Sequence, residues 1–382
     1  MTFIKIAFKK SNLRVYKMAK RLKEMFFSEE FINKLGKSIK EVYPTFELEK
    51  FCARVCGGSW SKMELKQKMR HITICLGASL PADYPKALSI LTEVAPKFGG
   101  FDAMVFPDFV ECFGTDFWDL SFAALEKFTS LCSSEFAVRP FLLENPQRAM
   151  GWMKKWARDK NFHVRRLASE GCRTRLPWAK ALPMFKKDPT AVIEILQILR
   201  DDPTEYVRRS VSNNLNDISK DNPEKVLDIC EQWYGRNQNR DWIVKRACRT
   251  LLKAGDKRAL KLFGFFDPSQ ITIEGLILDK QTLKIGQELT FSFKVIASTN
   301  MAKKIRLEYA VDFVKTKSKV SRKVFQIGET EFSKTSQTIA RKHSFKDLST
   351  RKHYPGKHKF TFLINGEPKA ESDINLLSKS KI

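Results

Sequence analysis

The apolar and polar positions in the centre of the chain follow a helical period, and the pattern repeats. The tripeptide Val-Arg-Arg begins at Val164 and again at Val207, and a weaker copy, Val-Lys-Arg, begins at Val244. Successive copies lie about 40 residues apart, which is the period of paired-helix arrays of the HEAT and armadillo type. The central region is therefore predicted to be a superhelix of α-helical repeats.

Each copy places apolar residues on one face of a helix and polar residues on the other. Because stacked repeats present equivalent helices side by side, the polar faces should merge into one mostly cationic surface that contains a few carboxylates. The apolar faces comprise Val164, Leu167, Ala168 and Gly171; Val207, Val211, Leu215 and Ile218; and Val244, Ala247, Cys248 and Leu251. The polar faces comprise Arg166, Glu170 and Arg173; Arg209, Asn213, Asn216 or Asp217, and Lys220; and Arg246, Arg249, Thr250 and Lys253.

Further helices are predicted before these repeats. Helical periodicity extends from about Met18 to Phe98, and a loop is predicted from Gly99. Ser133 and Ser134 are the predicted N-caps of a helix that opens the segment EFAVRPFLLEN. This segment carries another Val-Arg pair and is interpreted as one more repeat with a shorter partner helix.

A different pattern starts at Ile271, where apolar and polar residues alternate with a period of two. Segments such as KIRLEYAVDFV predict six or seven strands, which is typical of a small β-sandwich of the immunoglobulin type. The fold is therefore predicted to be mainly α, with a HEAT-like superhelix followed by an all-β sandwich. The predicted parts are a disordered basic lead over residues 1–17, the repeat domain over 18–268 and the sandwich over 269–382.

Composition adds an expectation about the partner. The 382 residues carry a formal net charge of +26, which favours a polyanion such as nucleic acid. No apolar run is long enough to span a membrane, and the N-terminus lacks the features of a secretory signal. The eight cysteines lie between Cys52 and Cys248 without zinc-site spacing, so a cytoplasmic protein without metal or cofactor is expected.

Carboxylates within the cationic faces are the candidates for chemistry. Glu170 lies between Arg166 and Arg173, Asp217 lies near the end of the next polar face, and Glu135 precedes the first copy. Two interpretations are open: charge balancing by pairs at i, i+3 and i, i+4, or an active site. The basic residues predict phosphate contacts. The predicted DNA-binding residues are Arg165, Arg166, Arg208, Arg209, Lys245, Arg246 and Arg249.

Several long segments resemble the AlkC branch of the AlkC/AlkD-like DNA glycosylases. They are SSEFAVRPFL, RLASEGCRTRLPWA, VRRSVSNNLNDISKDNP, and ELKQKMRHI with LPADYPKAL downstream. The resemblance extends from about Met18 to Phe265, and the larger form of this family also ends in an immunoglobulin-like domain. It implies a base-excision repair enzyme that acts on double-stranded DNA and hydrolyses the N-glycosidic bond of alkylated bases, 3-methyladenine and 3-methylcytosine. The site implied by the resemblance is Glu135, Glu170, Arg173, Trp178 and Asp217.

The chemistry of an alkylated base is compatible with that set. A methyl group on N3 gives the base a positive charge and makes it a good leaving group, so the enzyme must stabilise oxocarbenium character on the sugar and position a water. Ionised carboxylates serve both tasks, and Trp178 is suited to a cation–π contact. The resemblance also suggests action without classical base flipping. For Trp178, packing between repeats is the alternative interpretation.

Two other functions fit the same residues. One is a HEAT-repeat protein that binds DNA without catalysis, and the other is a scaffold for an acidic protein partner. A monomer with no membrane association is expected in the leading interpretation, in which the protein is a DNA glycosylase.

Overall fold

The computed structural model describes residues 25–297, 303–315, 319–332, 336–348 and 351–379. The predicted basic lead over residues 1–17 lies outside these ranges. Among the described residues, 25–248 form one compact unit and those from 249 onward form a second. No helix in the described part of the chain is long and apolar enough to cross a membrane.

The first unit consists of α-helices joined by short turns. Most helices begin with an Asn, Asp, Ser or Pro in or beside the first turn, where these residues satisfy or replace free backbone N–H groups. The helices are α1 Glu29–Val42, α2 Leu48–Cys56, α3 Leu65–Gly77, α4 Tyr84–Val94, α5 Val105–Phe113, α6 Trp118–Phe128, α7 Arg139–Glu144, α8 Pro146–Trp156, α9 Phe162–Gly171, α10 Pro183–Lys187, α11 Thr190–Ile198, α12 Glu205–Ile218, α13 Pro223–Trp233 and α14 Gln238–Ala247.

The first two predicted repeat helices are confirmed as α9 and α12, and the third is present as α14 but ends at Ala247, before Arg249, Thr250 and Lys253 of its predicted polar face. Helix α9 packs on α12, and α12 packs on α14, so equivalent helices lie side by side. The predicted apolar face of each is buried, with Val164, Val207 and Val244 all at or below 2% exposure. Gly171 has a packing role at the end of α9, because a Cβ there would lie 2.7 Å from the side chain of Val138.

Two local predictions were wrong. The loop predicted from Gly99 contains helix α5, in which every residue from Val105 to Val110 is buried. Pro107 stands in the first turn of this helix, where proline is tolerated, so it does not mark a loop. Ser133 and Ser134 do not cap a helix, since α7 begins only at Arg139. Ser134 instead donates to the backbone oxygen of Leu125 at 3.1 Å.

The second unit begins with two short helices and continues as a β-sandwich. Helices α15 and α16 belong to this unit, so the division falls before the predicted boundary at residue 269. Gly255, after α15, and Gly366, in the last hairpin, both have positive φ, and a Cβ on Gly366 would lie 2.4 Å from the Cα of Gly255. The bounds are α15 Arg249–Ala254, α16 Lys257–Leu262, β1 Ile271–Leu278, β2 Thr282–Lys284, β3 Glu288–Ala297, β4 Lys303–Val314, β5 Val320–Phe332, β6 Ser336–Ser344, β7 Gly356–Ile364 and β8 Glu367–Leu377.

The strands form two sheets, which confirms the predicted immunoglobulin-like sandwich. One sheet has the order β1-β3-β6 and the other the order β2-β8-β7-β4-β5. The period-two residues of β4, from Ile305 to Phe313, are buried in the core as predicted. The intervening Arg306 and Glu308 are also buried, and they form an ion pair at 2.8 Å.

Candidate active site

The three predicted carboxylates lie on one surface and are linked through two arginines. The turn before α7 supplies Glu135, α9 supplies Arg166 and Glu170, the following turn supplies Arg173, and α12 supplies Asp217. Acids and arginines alternate along this row. We call these five residues the carboxylate–arginine network.

Ion pairs join each member of the network to the next. Arg166 Nη1 donates to Glu135 Oε2, and Arg166 Nη2 lies 3.6 Å from Glu170 Oε1. Arg173 Nη1 donates to Glu170 Oε1 at 2.6 Å, and Arg173 Nη2 lies 2.7 Å from Asp217 Oδ2. The two terminal pairs connect residues 31 and 44 positions apart, so they depend on repeat stacking rather than on helical neighbours.

The charged side chains of the network must be paired because they are buried. The side chains of Arg173 and Asp217 are 9% and 4% exposed, and a buried charge without a partner costs several kcal/mol. Burial lowers the pKa of Arg166 and Arg173, but the adjacent carboxylates outweigh it and raise both pKa values above the ordinary range. Both arginines are therefore cations that hold the acids in place.

Two serines that the sequence analysis missed also hold the acids. Ser210 Oγ, on α12, donates to Glu170 Oε2 at 2.6 Å. Ser133 Oγ donates to Glu135 Oε2, the same oxygen that accepts from Arg166. In the described part of the chain, Glu135 Oε1 is the one carboxylate oxygen of the network without a hydrogen bond or ion pair, since Lys220 Nζ donates to Asp217 Oδ1 at 3.1 Å.

Trp178 projects into solvent from the loop between α9 and α10. Its side chain is 73% exposed, which excludes the interpretation that it packs between repeats. Its φ of 64° lies in the left-handed region, where a residue with a Cβ is strained by about 1–2 kcal/mol. An exposed indole in strained backbone indicates a surface that is held ready for a ligand.

Arg139 braces the same loop from inside the protein. It is 3% exposed and donates to the backbone oxygens of Gly171 at 3.1 Å and Arg173 at 2.7 Å, and also to that of Lys180. Burial lowers the pKa of Arg139 to about 10. The loop that carries Arg173 and Trp178 is thus fixed at both ends by one side chain.

Comparisons with known proteins agree with this geometry. Residues 131–251 match the family model described as "DNA alkylation repair enzyme", and residues 272–378 match that of the C-terminal Ig-like domain of the uncharacterised protein YhaZ. The protein YhaZ of Bacillus subtilis strain 168 is 44% identical over 356 residues, which cover 93% of this chain and 99% of YhaZ.

A solved structure is similar over both units. It is the alkylpurine DNA glycosylase AlkC of Pseudomonas fluorescens, bound to DNA containing an abasic site analog. The TM-score is 0.89 and the identity 36%, and the match covers 93% of this chain and 99% of that one. This chain belongs to the AlkC family of DNA glycosylases.

The first arginine of each Val-Arg-Arg copy in this AlkC-type chain has an internal role. Arg165 Nε donates to Asp202 Oδ2 at 2.5 Å, and its Nη1 donates to the backbone oxygens of Asp159 and Lys160 at 2.9 Å each. The equivalent Arg208 donates to the backbone oxygen of Asp202 at 2.8 Å. These contacts give Arg165 and Arg208 a structural role, because their guanidinium groups close the turn that precedes each repeat helix, and their contact with DNA stays a prediction.

The second arginine differs between the copies, since Arg166 is 14% exposed within the network and Arg246 is half-buried. Arg209 is exposed and pairs with Glu205, while Arg246 lies 4.8 Å from the ring centroid of Trp242. Lys245 is exposed on α14, and Arg249 begins the second unit of this AlkC-type chain. Arg209, Lys245 and Arg246 likewise remain candidates in the first unit for phosphate contact.

Aromatic rings at the starts of α9 and α12 border the network. The exposed Tyr206 lies 5.1 Å from the guanidinium of Arg166, and it contacts Phe162 and His163 edge-on. The sequence analysis missed this group, because Tyr206 and Phe162 are isolated aromatics at helix starts. Within the described ranges, no group of three or more His, Cys, Asp or Glu side chains is arranged to hold a metal ion.

Proposed function

We propose that this AlkC-type chain removes 3-methyladenine and 3-methylcytosine from double-stranded DNA by hydrolysing the N-glycosidic bond. The observation that carries the proposal is the carboxylate–arginine network, in which three acids from consecutive repeats are held on one basic surface. The solved AlkC with abasic-site DNA supports DNA as the partner.

The network suits a reaction whose leaving group is already cationic. As the bond from sugar to base lengthens, positive charge moves onto the sugar, and an ionised carboxylate nearby lowers the energy of that state. Glu170 and Asp217 are oriented by Arg173 before the substrate arrives, so they need not reorganise during the reaction. We assign this electrostatic role to Glu170 and Asp217.

Glu135 is the carboxylate that we assign to the attacking water. Its Oε2 is held by Ser133 and Arg166, and its Oε1 has no partner among the described residues. An oriented carboxylate with one unoccupied oxygen can accept a hydrogen bond from water and receive a proton as the new C–O bond forms. The released base leaves with the electrons of the broken bond, which neutralise its positive charge.

Trp178 supplies a surface for the damaged nucleotide. A cation over an indole gains about 1–2 kcal/mol when it is desolvated, and a neutral base gains less from this electrostatic contact. Trp178 and the carboxylate–arginine network therefore both favour cationic lesions over undamaged bases, the first by stacking and the second by its acids.

The lesion is proposed to stay at the surface rather than enter a deep pocket. The space between the walls of the pocket beside Glu135, which Met69, Asp108, Ser133 and Phe136 line in part, is about 160 Å³ even with open solvent included. Ligand-enclosing pockets usually exceed about 300 Å³. The exposed Trp178 and the exposed cations Arg209 and Lys245 are consistent with recognition of a lesion from outside the duplex.

The test is base release from methylated DNA. The wild-type protein should release free 3-methyladenine and 3-methylcytosine and leave alkali-labile abasic sites, and Glu170→Gln should release at least about a hundredfold less. Glu205→Gln is the matched control, because Glu205 is exposed and pairs only with Arg209 on the same helix. DNA binding by the wild type without any release would instead identify a non-catalytic DNA-binding protein.

A further inference from the structure

Lys66 connects the two loops that carry Glu135 and Trp178. Its Nζ donates to the backbone oxygen of Trp178 at 2.9 Å, and it lies 4.5 Å from the ring centroid of Phe136, the residue after Glu135. Lys66 is the second residue of α3, more than 100 positions from Trp178 in sequence. We propose that Lys66 is a positioning residue that fixes the backbone of Trp178 and thereby the direction of its indole.

The loop between α9 and α10 requires a stabilising contact at Trp178. The indole of Trp178 is too exposed to be held by packing, and its backbone is in the left-handed region. Arg139 binds the carbonyl groups of Gly171, Arg173 and Lys180, which lie on either side of Trp178. In the described part of the chain, the contact with Lys66 is the only hydrogen bond that Trp178 makes. It therefore holds the centre of the loop, which Arg139 does not reach.

The helix that carries Lys66 is itself firmly placed. Arg70, one turn further along α3, pairs with Asp108 at 2.9 Å and with Glu111 at 2.8 Å, both on α5. Helix α3 packs against α5 along its length. A lysine on such a helix delivers its ammonium group to a defined position. The segment ELKQKMRHI, which contains both Lys66 and Arg70, thereby acquires a role in the site.

This inference rests on the proposed role of Trp178 as the stacking surface for a cationic base. Without the hydrogen bond from Lys66, the carbonyl of Trp178 is free to rotate and the strained φ is no longer held. The indole of Trp178 then adopts several orientations. Because only one of them stacks on the damaged base, the indole must be reordered each time DNA binds. Such a loss of preorganisation lowers the rate of the chemical step.

Activity assays distinguish this role from a general effect of charge. Lys66→Met should lower kcat/KM for 3-methyladenine release by about tenfold, mainly through kcat, whereas Lys66→Arg should recover most of it. Lys68→Met removes an equal charge from the same helix, where Lys68 lies over the ring of Trp60, and should stay close to wild type. An equal loss in Lys68→Met would overturn the proposal.

A double-mutant cycle tests whether Lys66 acts through Trp178. The combination Lys66→Met with Trp178→Ala should be no worse than Trp178→Ala alone, because the indole that Lys66 positions is then absent. Additive losses would show that Lys66 acts elsewhere, for example on a phosphate, and would contradict the assignment.

Measurements on the free protein test the anchor independently of catalysis. With 5-fluorotryptophan at all seven tryptophans, the ¹⁹F resonance of Trp178, identified with Trp178→Phe, should shift or broaden in Lys66→Met. Hydrogen exchange of the loop amides should also accelerate. Unchanged spectra and exchange would overturn the inference. If the wild type releases no base while Lys66→Met still loosens the loop, the proposed function fails and the anchor stands.

Discussion

The two units of the molecule bury ionisable side chains in opposite ways. In the helical unit, the carboxylate–arginine network keeps its members charged by placing each acid beside an arginine. In the β-sandwich, three histidines, His343, His353 and His358, lie in an aromatic core. The first arrangement pairs opposite charges, and the second holds titratable groups neutral.

The histidines are held neutral by their surroundings. Burial, with Arg351 as the next cause, lowers the pKa of His343 to about 3 and that of His353 to about 4. Burial also lowers the pKa of His358. His343 Nδ1 shares a hydrogen bond of 2.9 Å with the hydroxyl of Tyr309, whereas neither ring nitrogen of His353 has a hydrogen-bond partner among the described residues.

The contrast shows what repeat stacking contributes. Equivalent helices bring side chains from distant parts of the sequence into a row, so opposite charges can alternate across repeats. A sandwich core receives side chains from both sheets, which here are phenylalanines together with aliphatic residues. The sandwich also buries charge, since Arg306 pairs with Glu308 at 2.8 Å and with Glu329 at 2.6 Å. The network differs in that it joins residues from separate repeats.

The largest expected effect comes from removing one charge from the network. Asp217→Asn should lower kcat for base release by about a hundredfold to a thousandfold, because the cationic transition state loses one of its stabilising charges. Single-turnover assays measure this, and circular dichroism should show that the variant is folded. Asp221→Asn, which affects a surface pair with Arg175, should retain near-wild-type activity. Equal losses in both variants would contradict a special role for the network.

Arg139, a buried arginine that in the described part of the chain binds backbone oxygens rather than a carboxylate, tests the stability side of the comparison. Arg139→Leu should lower the free energy of unfolding by about 3–5 kcal/mol, because the carbonyl groups that Arg139 binds stay buried without a donor. Thermal and urea unfolding provide the measurement. Arg175→Leu, at the surface, should cost about 1 kcal/mol or less. A similar small cost for Arg139→Leu would mean that the loop closes by other contacts.

The histidines predict that acid weakens the sandwich. Their folded-state pKa values are depressed, so the unfolded chain binds more protons once the pH falls below about 6.5, and unfolding becomes easier. Each histidine should contribute up to about 1.4 kcal/mol per pH unit below that value. Hydrogen exchange at pH 7.5 and pH 5.5 should show the β-strands losing protection at the lower pH.

A variant of one histidine sharpens this expectation. His353→Phe should flatten the pH dependence of unfolding, because it removes two unpartnered nitrogens from a site bordered by Phe313 and Phe345. Exchange that depends on pH equally in His353→Phe and in the wild type would show that His353 titrates normally.

The smallest effect concerns the two arginines of a single Val-Arg-Arg copy. Arg209→Ala should reduce the slope of log affinity for DNA against log salt by about one, because one phosphate contact is lost. Arg208→Ala should leave the slope unchanged and lower stability, since Arg208 binds the backbone oxygens of Asp202 and Pro203. If Arg208→Ala reduced the slope and Arg209→Ala did not, Arg208 would be the residue that contacts DNA.

Local periodicity predicted most of the helical unit but little of its internal bonding. The apolar faces of α9 and α12 could be identified from sequence, because burial of one side of a helix leaves a pattern within a few turns. The pair of Arg173 with Asp217 was not predicted by spacing, since it joins residues 44 positions apart. The five site residues, from Glu135 to Asp217, are implied by the resemblance to the AlkC family, and their role in catalysis stays a prediction.

Other features left no local signal. Lys66 and Trp178 are brought together by tertiary packing alone, and Arg165 and Arg166 are adjacent in sequence but differ in role because they point in different directions from α9. In the sandwich, β2 is short and β8 alternates weakly, so neither was predicted. The other strands carry clear alternation and were found.

The position of Gly171 has a consequence for how such a protein can change over time. The side chain of Val138 occupies the place of a Cβ at the end of α9, so the spacing between these repeats is set by the absence of a single methyl group. A Cβ at Gly171 would force Val138 to shift, and Val138 lies three residues after Glu135. This junction therefore accepts only glycine without local rearrangement.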